Sequence, residues 1–340
     1  MRKYRQVRTE MKKRYGAIDG LRMIGSIGIV MMHMATNNSY EITGYIYETV
    51  IPSFTNFVFL FMMVSAFGMC CGYYEKILNN SISFPRFYGK RFRKIFPFFA
   101  VLVVLDVILS PSVDAFYEAF ADLTLLFGFL PEAGNISVIG VGWFLGLIFV
   151  FYLCFPFFCV LIENKRRAWI AFGVSLVYNF VCIVYFDVGR TNILYDACFF
   201  LAGGLAYLYR EKLEKMGPLP AAIFLIVSVF AYYRIGGNTI TWLMVSAALL
   251  IFALNRQGGV LDNPVTGFLG RYSLEVYLSH MAVFRVIEKT GLNTVLGNGW
   301  LQYGITILLV YCGALLVSVV IQKGTGLLTD KIREVHWKCN

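Results

Sequence analysis

The sequence predicts an all-α fold: a polytopic integral membrane bundle of about ten transmembrane helices, with both termini cytoplasmic. Three observations predict it. Hydrophobic residues make up 58% of the 340 and charged residues 15%, and mean hydropathy is +0.66. A soluble domain is nearer half apolar and a quarter charged. A soluble sphere could not hide so much apolar surface, which excludes an ordinary soluble enzyme, a disordered chain and a disulfide-stapled secreted domain. Apolar runs of the length that crosses a bilayer recur along the chain. Lipid admits only helices or closed barrels, and these runs are too long and too uniform for barrel strands. Finally, thirty Lys and Arg stand against twenty Asp and Glu, a formal charge of +10, and the cations cluster in alternate loops.

The spans are expected at 17–36, 50–73, 95–111, 140–162, 168–187, 191–209, 218–235, 238–255, 265–287 and 299–322, with 115–130 amphipathic and re-entrant or interfacial. Seven cations precede the first span, six lie in 74–94, and Lys165 to Arg167 follow the fourth. Arg210, Lys212 and Lys215 follow the sixth, Arg256 the eighth, and Lys323, Lys331, Arg333 and Lys338 the last. The opposite loops hold only Arg190, Arg234, Arg285 and Lys289, while Arg22 and Arg271 stand at span starts on the basic side. The positive-inside rule then places both termini in the cytoplasm. Much of the +10 is an orientation signal rather than a nucleic-acid footprint, so no nucleic acid is expected as partner.

The first span resembles a signal peptide in its basic flank, but without a small-x-small cleavage site it reads as retained. The division expected is a basic cytoplasmic segment at 1–16, a membrane domain at 17–322 and a cytoplasmic tail at 323–340. Seven of the eight cysteines fall inside spans and Cys339 in the tail, so no disulfide framework is implied. CxxC, HExxH and Walker A motifs are missing, and no metal is expected.

An ionisable group inside a span is costly and marks function by default. Arg22 and His33 are eleven residues apart, within about 20° on a helix and roughly 16 Å along its axis. Gly25, Ser26, Ile29 and Thr36 share that stripe. Such a face suits a threaded ligand, anionic near Arg22 and reactive near His33. It equally suits a snorkelling arginine and a hydrogen-bonded buried histidine. Ser273, Tyr277 and His280 form a second one-faced stripe, lining a cavity or joining helices. Asp106 and Asp196 are carboxylates in need of partners. The basic segment Phe84–Pro97 mixes cations that suit phosphate with aromatics; acidic lipid is its other natural contact.

Taken in order, these segments resemble the acyltransferase 3 family of polytopic membrane acyltransferases. Ile18–Arg22 (IDGLR) with His33 is similar to its Arg-x10-His opening. Phe61–Phe67 (FMMVSAF) resembles its Phe-hydrophobic-Ser-Gly-Phe segment, with Ala66 for Gly. Lys90–Pro97 (KRFRKIFP) is similar to its Arg-Arg-x-x-Arg-x-x-Pro loop, with Lys90 and Lys94 at positions usually Arg. Gly142–Leu145, Phe151–Pro156 and Leu269–His280 resemble its later Trp-Phe-Leu, Phe-Tyr-Leu…Pro and Ser…Tyr-Leu…His segments. One departure is Ile148, where many members carry Glu; a sub-group acting on small or lipid-linked sugars, or transferring succinyl, lacks it too.

The resemblance implies transfer of an acyl group, acetyl first, from cytoplasmic acyl-CoA to a hydroxyl of a cell-surface glycan or its lipid-linked precursor, at the plasma membrane. Acyl-CoA is then donor substrate, the glycan or lipid-linked sugar is acceptor, and membrane lipid surrounds the chain. His33 is the expected general base. Tyr277, Ser65 and Ser273 are candidate oxyanion donors. Arg22, Arg91, Arg93 and Lys94 are expected to hold the CoA head, its arm running along the stripe from Arg22 to His33. The alternative is a transporter or flippase for a lipid-linked sugar, with the same stripes lining a path.

Overall fold

The computed structural model describes residues 15–130, 140–256 and 258–338. The basic segment 1–14 and Cys339 lie outside them. In chain order the helices are α1 (Gly16–Thr36), α2 (Ile51–Ser53), α3 (Phe57–Leu78), α4 (Phe84–Leu109), α5 (Val113–Thr124), α6 (Trp143–Glu163) and α7 (Lys165–Val184). They continue as α8 (Ile193–Leu208), α9 (Arg210–Glu214), α10 (Pro218–Ile235), α11 (Thr239–Leu254), α12 (Pro264–Arg271), α13 (Ser273–Lys289) and α14 (Trp300–Lys338). No strand occurs among the described residues.

Six helical segments are long and apolar enough to cross a membrane: Gly16–Thr36, Ile46–Leu78, Trp143–Glu163, Lys165–Val184, Pro218–Ile235 and Trp300–Gly326. The protein is thus an all-helical, multi-pass membrane protein. Four expected spans take another form, 238–255 being the 16-residue helix α11. The run at 191–209 is the shorter apolar helix α8 of 16 residues. The run at 265–287 is interrupted at Tyr272, between α12 and α13, and the chain bends by 102° between α11 and the Gly259–Arg271 segment. The run at 95–111 is extended backwards: the basic segment at 84–97 is the first half of α4, not a loop. Pro85 near its start lacks the N–H that a helix start leaves unpaired anyway.

Local chemistry sets these ends. Asn238 and Asn263 close capping boxes with Thr241 and Thr266 at the starts of α11 and α12. Asn164 and Asn192 cap α7 and α8 through their side-chain oxygens. Gly217 and Gly236, at φ of +85° and +101°, bracket α10 where side chains would strain the turn.

α1 is the central helix, packed against α3, α11, α12, α13 and α14. Most of it is buried, whereas α7 and α10 turn most of their residues outward. Lipid gives no hydrophobic drive between helices, so contact depends on close packing. α8 meets α3 at Gly203, where a Cβ would strike the Met63 carbonyl, and through Phe59 stacked on Phe199 at 4.2 Å. Gly270 of α12 lies equally close to the Asp19 carbonyl of α1, which brings α13 alongside α1.

Candidate active site

The two polar stripes meet. Arg22, near the start of α1, and Ser273 and Tyr277, on α13, line a cavity of about 190 Å³. Ser65 of α3, Lys94 of α4 and Ile148 of α6 complete much of its wall. Arg22 is not a free cation: its Nη1 donates to Asp19 Oδ1 at 2.8 Å, one turn back on α1. Glu275 of α13 also lines the cavity. Its Oε1 accepts from Gln322 Nε2, and its buried Oε2 has no hydrogen-bond partner among the described residues.

The expected cation cluster splits. Lys94 reaches the cavity, while Arg91 and Arg93 do not line it. Arg91 Nη2 donates to the Tyr73 hydroxyl at 2.7 Å and its guanidinium lies 4.7 Å from that ring's centroid. Arg93 Nε donates back to the Gly89 carbonyl at 3.0 Å on the outside of α4. Residues two apart on a helix point about 200° apart, so Arg91 and Arg93 cannot share a wall; Arg91, three residues before Lys94, shares its face but is turned onto Tyr73.

His33 lines a second cavity, of about 160 Å³, with Thr36, Thr55, Trp143 and Arg190. Of the other residues in the α1 stripe, Ile29 lines this cavity and Gly25 lies against Phe61. Ser26 turns away, its hydroxyl 3.2 Å from that of Tyr311 on α14. Tyr277 belongs to both cavities. Its ring stands 5.6 Å from Phe144 and 6.5 Å from Phe61, centroid to centroid, and the three rings form an aromatic wall.

Behind His33 lies His280, fully buried, with ring centroids 5.0 Å apart. His280 Nδ1 is 2.6 Å from the Tyr277 carbonyl oxygen. A carbonyl only accepts, so Nδ1 is the donor and Nε2 carries a lone pair. That Nε2 is buried with no partner among the described residues. The two imidazoles are therefore in ring contact without a hydrogen bond between them.

Neither Asp106 nor Asp196 ion-pairs with His33 or an arginine among the described residues. Asp196 is buried, and its Oδ1 has no hydrogen-bond partner there. No group of three or more His, Cys, Asp or Glu that could hold a metal ion occurs among the described residues.

Two site residues, Arg190 and Glu275, escaped the sequence reading, and so did the contact of His280 with His33. Arg190 counted only as an outer-loop charge, and the pairing of His280 with His33 has no sequence signature. Glu275 did have one, being a carboxylate inside an apolar run.

A bundle of apolar helices around two polar cavities, one with cations and one with an imidazole, defines a membrane-embedded transferase or carrier. The sequence model of a family described as an acyltransferase domain matches residues 15–322. The chain belongs to that family, acyltransferase 3, and is a membrane acyltransferase by membership. No curated protein and no solved structure matches it.

Proposed function

We propose that the protein transfers an acyl group, acetyl first, from cytoplasmic acyl-CoA to a hydroxyl of a cell-surface glycan or its lipid-linked precursor. The observation that carries this reading is the shared wall at Tyr277, between a cavity with Arg22 and Lys94 and a cavity with His33. In the reading, ten segments cross the plasma membrane and both termini are cytoplasmic. The Arg22 cavity then opens inward and the His33 cavity outward.

Coenzyme A carries phosphates on a slender thioester arm. Arg22 and Lys94 would hold the phosphates at the cytoplasmic mouth. Spanning from Arg22 to His33 requires roughly 16 Å along α1, within reach of an extended arm. The thioester would stand at the aromatic wall, and the acceptor hydroxyl would enter beside His33. His33 takes the hydroxyl proton as the oxygen attacks the thioester carbon. The negative charge passes to the carbonyl oxygen, where the Tyr277, Ser65 or Ser273 hydroxyl donates to it. The C–S bond then breaks, the CoA sulfur takes the proton back from His33, and the ester leaves outward. His280 acts as a positioning residue, its ring packed against that of His33.

The test is transfer of radioactive acetyl from acetyl-CoA into glycan or lipid by membranes carrying the protein. Label should appear with the wild type and vanish with His33→Ala at equal protein level. A transporter would transfer none. Full transfer by purified His33→Ala would overturn the mechanism.

A further inference from the structure

Arg190 is the only cationic side chain lining the His33 cavity among the described residues. It stands in the turn before α8, and its Nη1 donates to Thr55 Oγ1 at 2.8 Å. Its guanidinium lies 5.6 Å from the centroid of the Trp143 ring, which lines the same cavity. No carboxylate lies within ion-pair distance of it among the described residues and none lines the cavity, although Asp196 on α8 is near enough to act on it electrostatically. This distinguishes it from Arg22, which is held by Asp19. A guanidinium has five N–H donors in a planar fork that matches carboxylate and phosphate oxygens. The hydrogen bond to Thr55 and the face on Trp143 fix the fork's position and leave donors for a ligand. Trp143 adds a broad flat surface on which a ring can lie.

We propose that Arg190 and Trp143 form the acceptor-recognition site, and that the acceptor sugar bears an acidic group close to the hydroxyl that is acylated. That group is a carboxylate or a phosphate, both planar or tetrahedral oxyanions that the fork would grip. The proposal rests on the acyl-transfer reading and names its acceptor class. A neutral sugar would leave the fork without a counter-charge in the cavity, which disfavours its binding.

The test titrates the purified full-length protein with three probes, read by tryptophan fluorescence. The probes are methyl β-D-glucopyranoside (neutral), methyl β-D-glucuronide (a carboxylate) and glucose 1-phosphate (a phosphate). At least one acidic probe should half-saturate at a concentration about tenfold or more below the neutral one, as charge-assisted hydrogen bonds warrant. Which acid binds tighter identifies the source of the charge. Arg190→Gln should erase the difference, and Arg190→Lys, which keeps the charge and guards against misfolding, should retain part of it. Equal half-saturation by all three probes in the wild type, or no response to any, overturns the proposal. So does an acidic preference that survives in Arg190→Gln. His33→Ala separates this from the catalytic reading: it should lose transfer yet keep the acidic preference. A wild type that prefers acids but transfers no acyl group would leave the anion site standing and remove the acyl-transfer reading.

Discussion

The two cavities that meet at Tyr277 differ in how their cations are held. On one side Arg22 is bonded to Asp19, and Lys94 and Arg271 share the cavity with Glu275. On the other, Arg190 stands beside His33, hydrogen-bonded to Thr55 and facing the Trp143 ring, with the Asp196 carboxylate near it but outside ion-pair distance. A cation already paired binds an added anion only by exchange, with modest and salt-sensitive gain. A cation held by a hydroxyl has more to gain from one. The first cavity therefore suits a ligand with several phosphates, present at high concentration and released after each cycle. The second suits selection of one acceptor.

The largest expected effect breaks the catalytic side alone. His33→Ala should lower kcat by about 10²- to 10⁴-fold, the range of a lost general base, with the KM for acyl-CoA close to unchanged in steady-state assays. Tyr277 tests the shared wall. Tyr277→Phe should lower kcat by about 10²-fold if its hydroxyl serves the oxyanion, and Tyr277→Ala should raise hydrolysis of acyl-CoA by water relative to transfer. An unaltered ratio of hydrolysis to transfer in Tyr277→Ala would count against a wall between two cavities.

The donor side should respond in KM. Arg22→Ala should raise the KM for acyl-CoA about tenfold, the cost of one charge-assisted contact, with kcat nearly kept. Arg91→Ala should raise it less, since Arg91 does not line the cavity. Equal effects of the two substitutions would restore the single cation cluster that the sequence suggests.

The smallest effect lies in neither cavity. Asp122, in the amphipathic helix α5, is fully buried with both carboxylate oxygens unpartnered among the described residues. Burial first, then the neighbouring Glu118 and Asp106, push its acid group up to about 7. A raised carboxylate value means that the folded chain keeps a proton the unfolded chain releases. The corresponding stability is present at acid pH and is lost as pH rises through about 7. Asp122→Asn should therefore raise the melting temperature at pH 8 and have little effect near pH 4, with transfer activity unchanged. A melting temperature that rises equally at both values would rule out this titration.

The sequence made the helical class legible because apolar runs report directly on lipid contact. It also paired Arg22 with His33 by arithmetic that a straight helix obeys, and both face cavities that share Tyr277. The basic segment misled for the converse reason. Its cations read as a loop, yet they stand on α4, where helical twist turns Arg93 away from Arg91 and Lys94, and Arg91 is held on Tyr73 short of the cavity. Run length could not reveal the break at Tyr272 either, because a window of about 20 residues averages over the polar patch of Arg271, Ser273 and Glu275 around it. Ile148, where a Glu is common, lines the same cavity as Glu275. A carboxylate is thus present there from another helix; its place in an apolar run marked it, but only tertiary packing brings it beside Ile148. His280 and Arg190 join His33 only through tertiary packing.

Binding and turnover are divided between the cavities, and equilibrium binding of acetyl-CoA to wild type, Arg22→Ala and His33→Ala tests that division most directly. Arg22→Ala should bind about tenfold more weakly, while His33→Ala, inactive in transfer, should bind like the wild type. Loss of acetyl-CoA binding in His33→Ala, or none in Arg22→Ala, would contradict it.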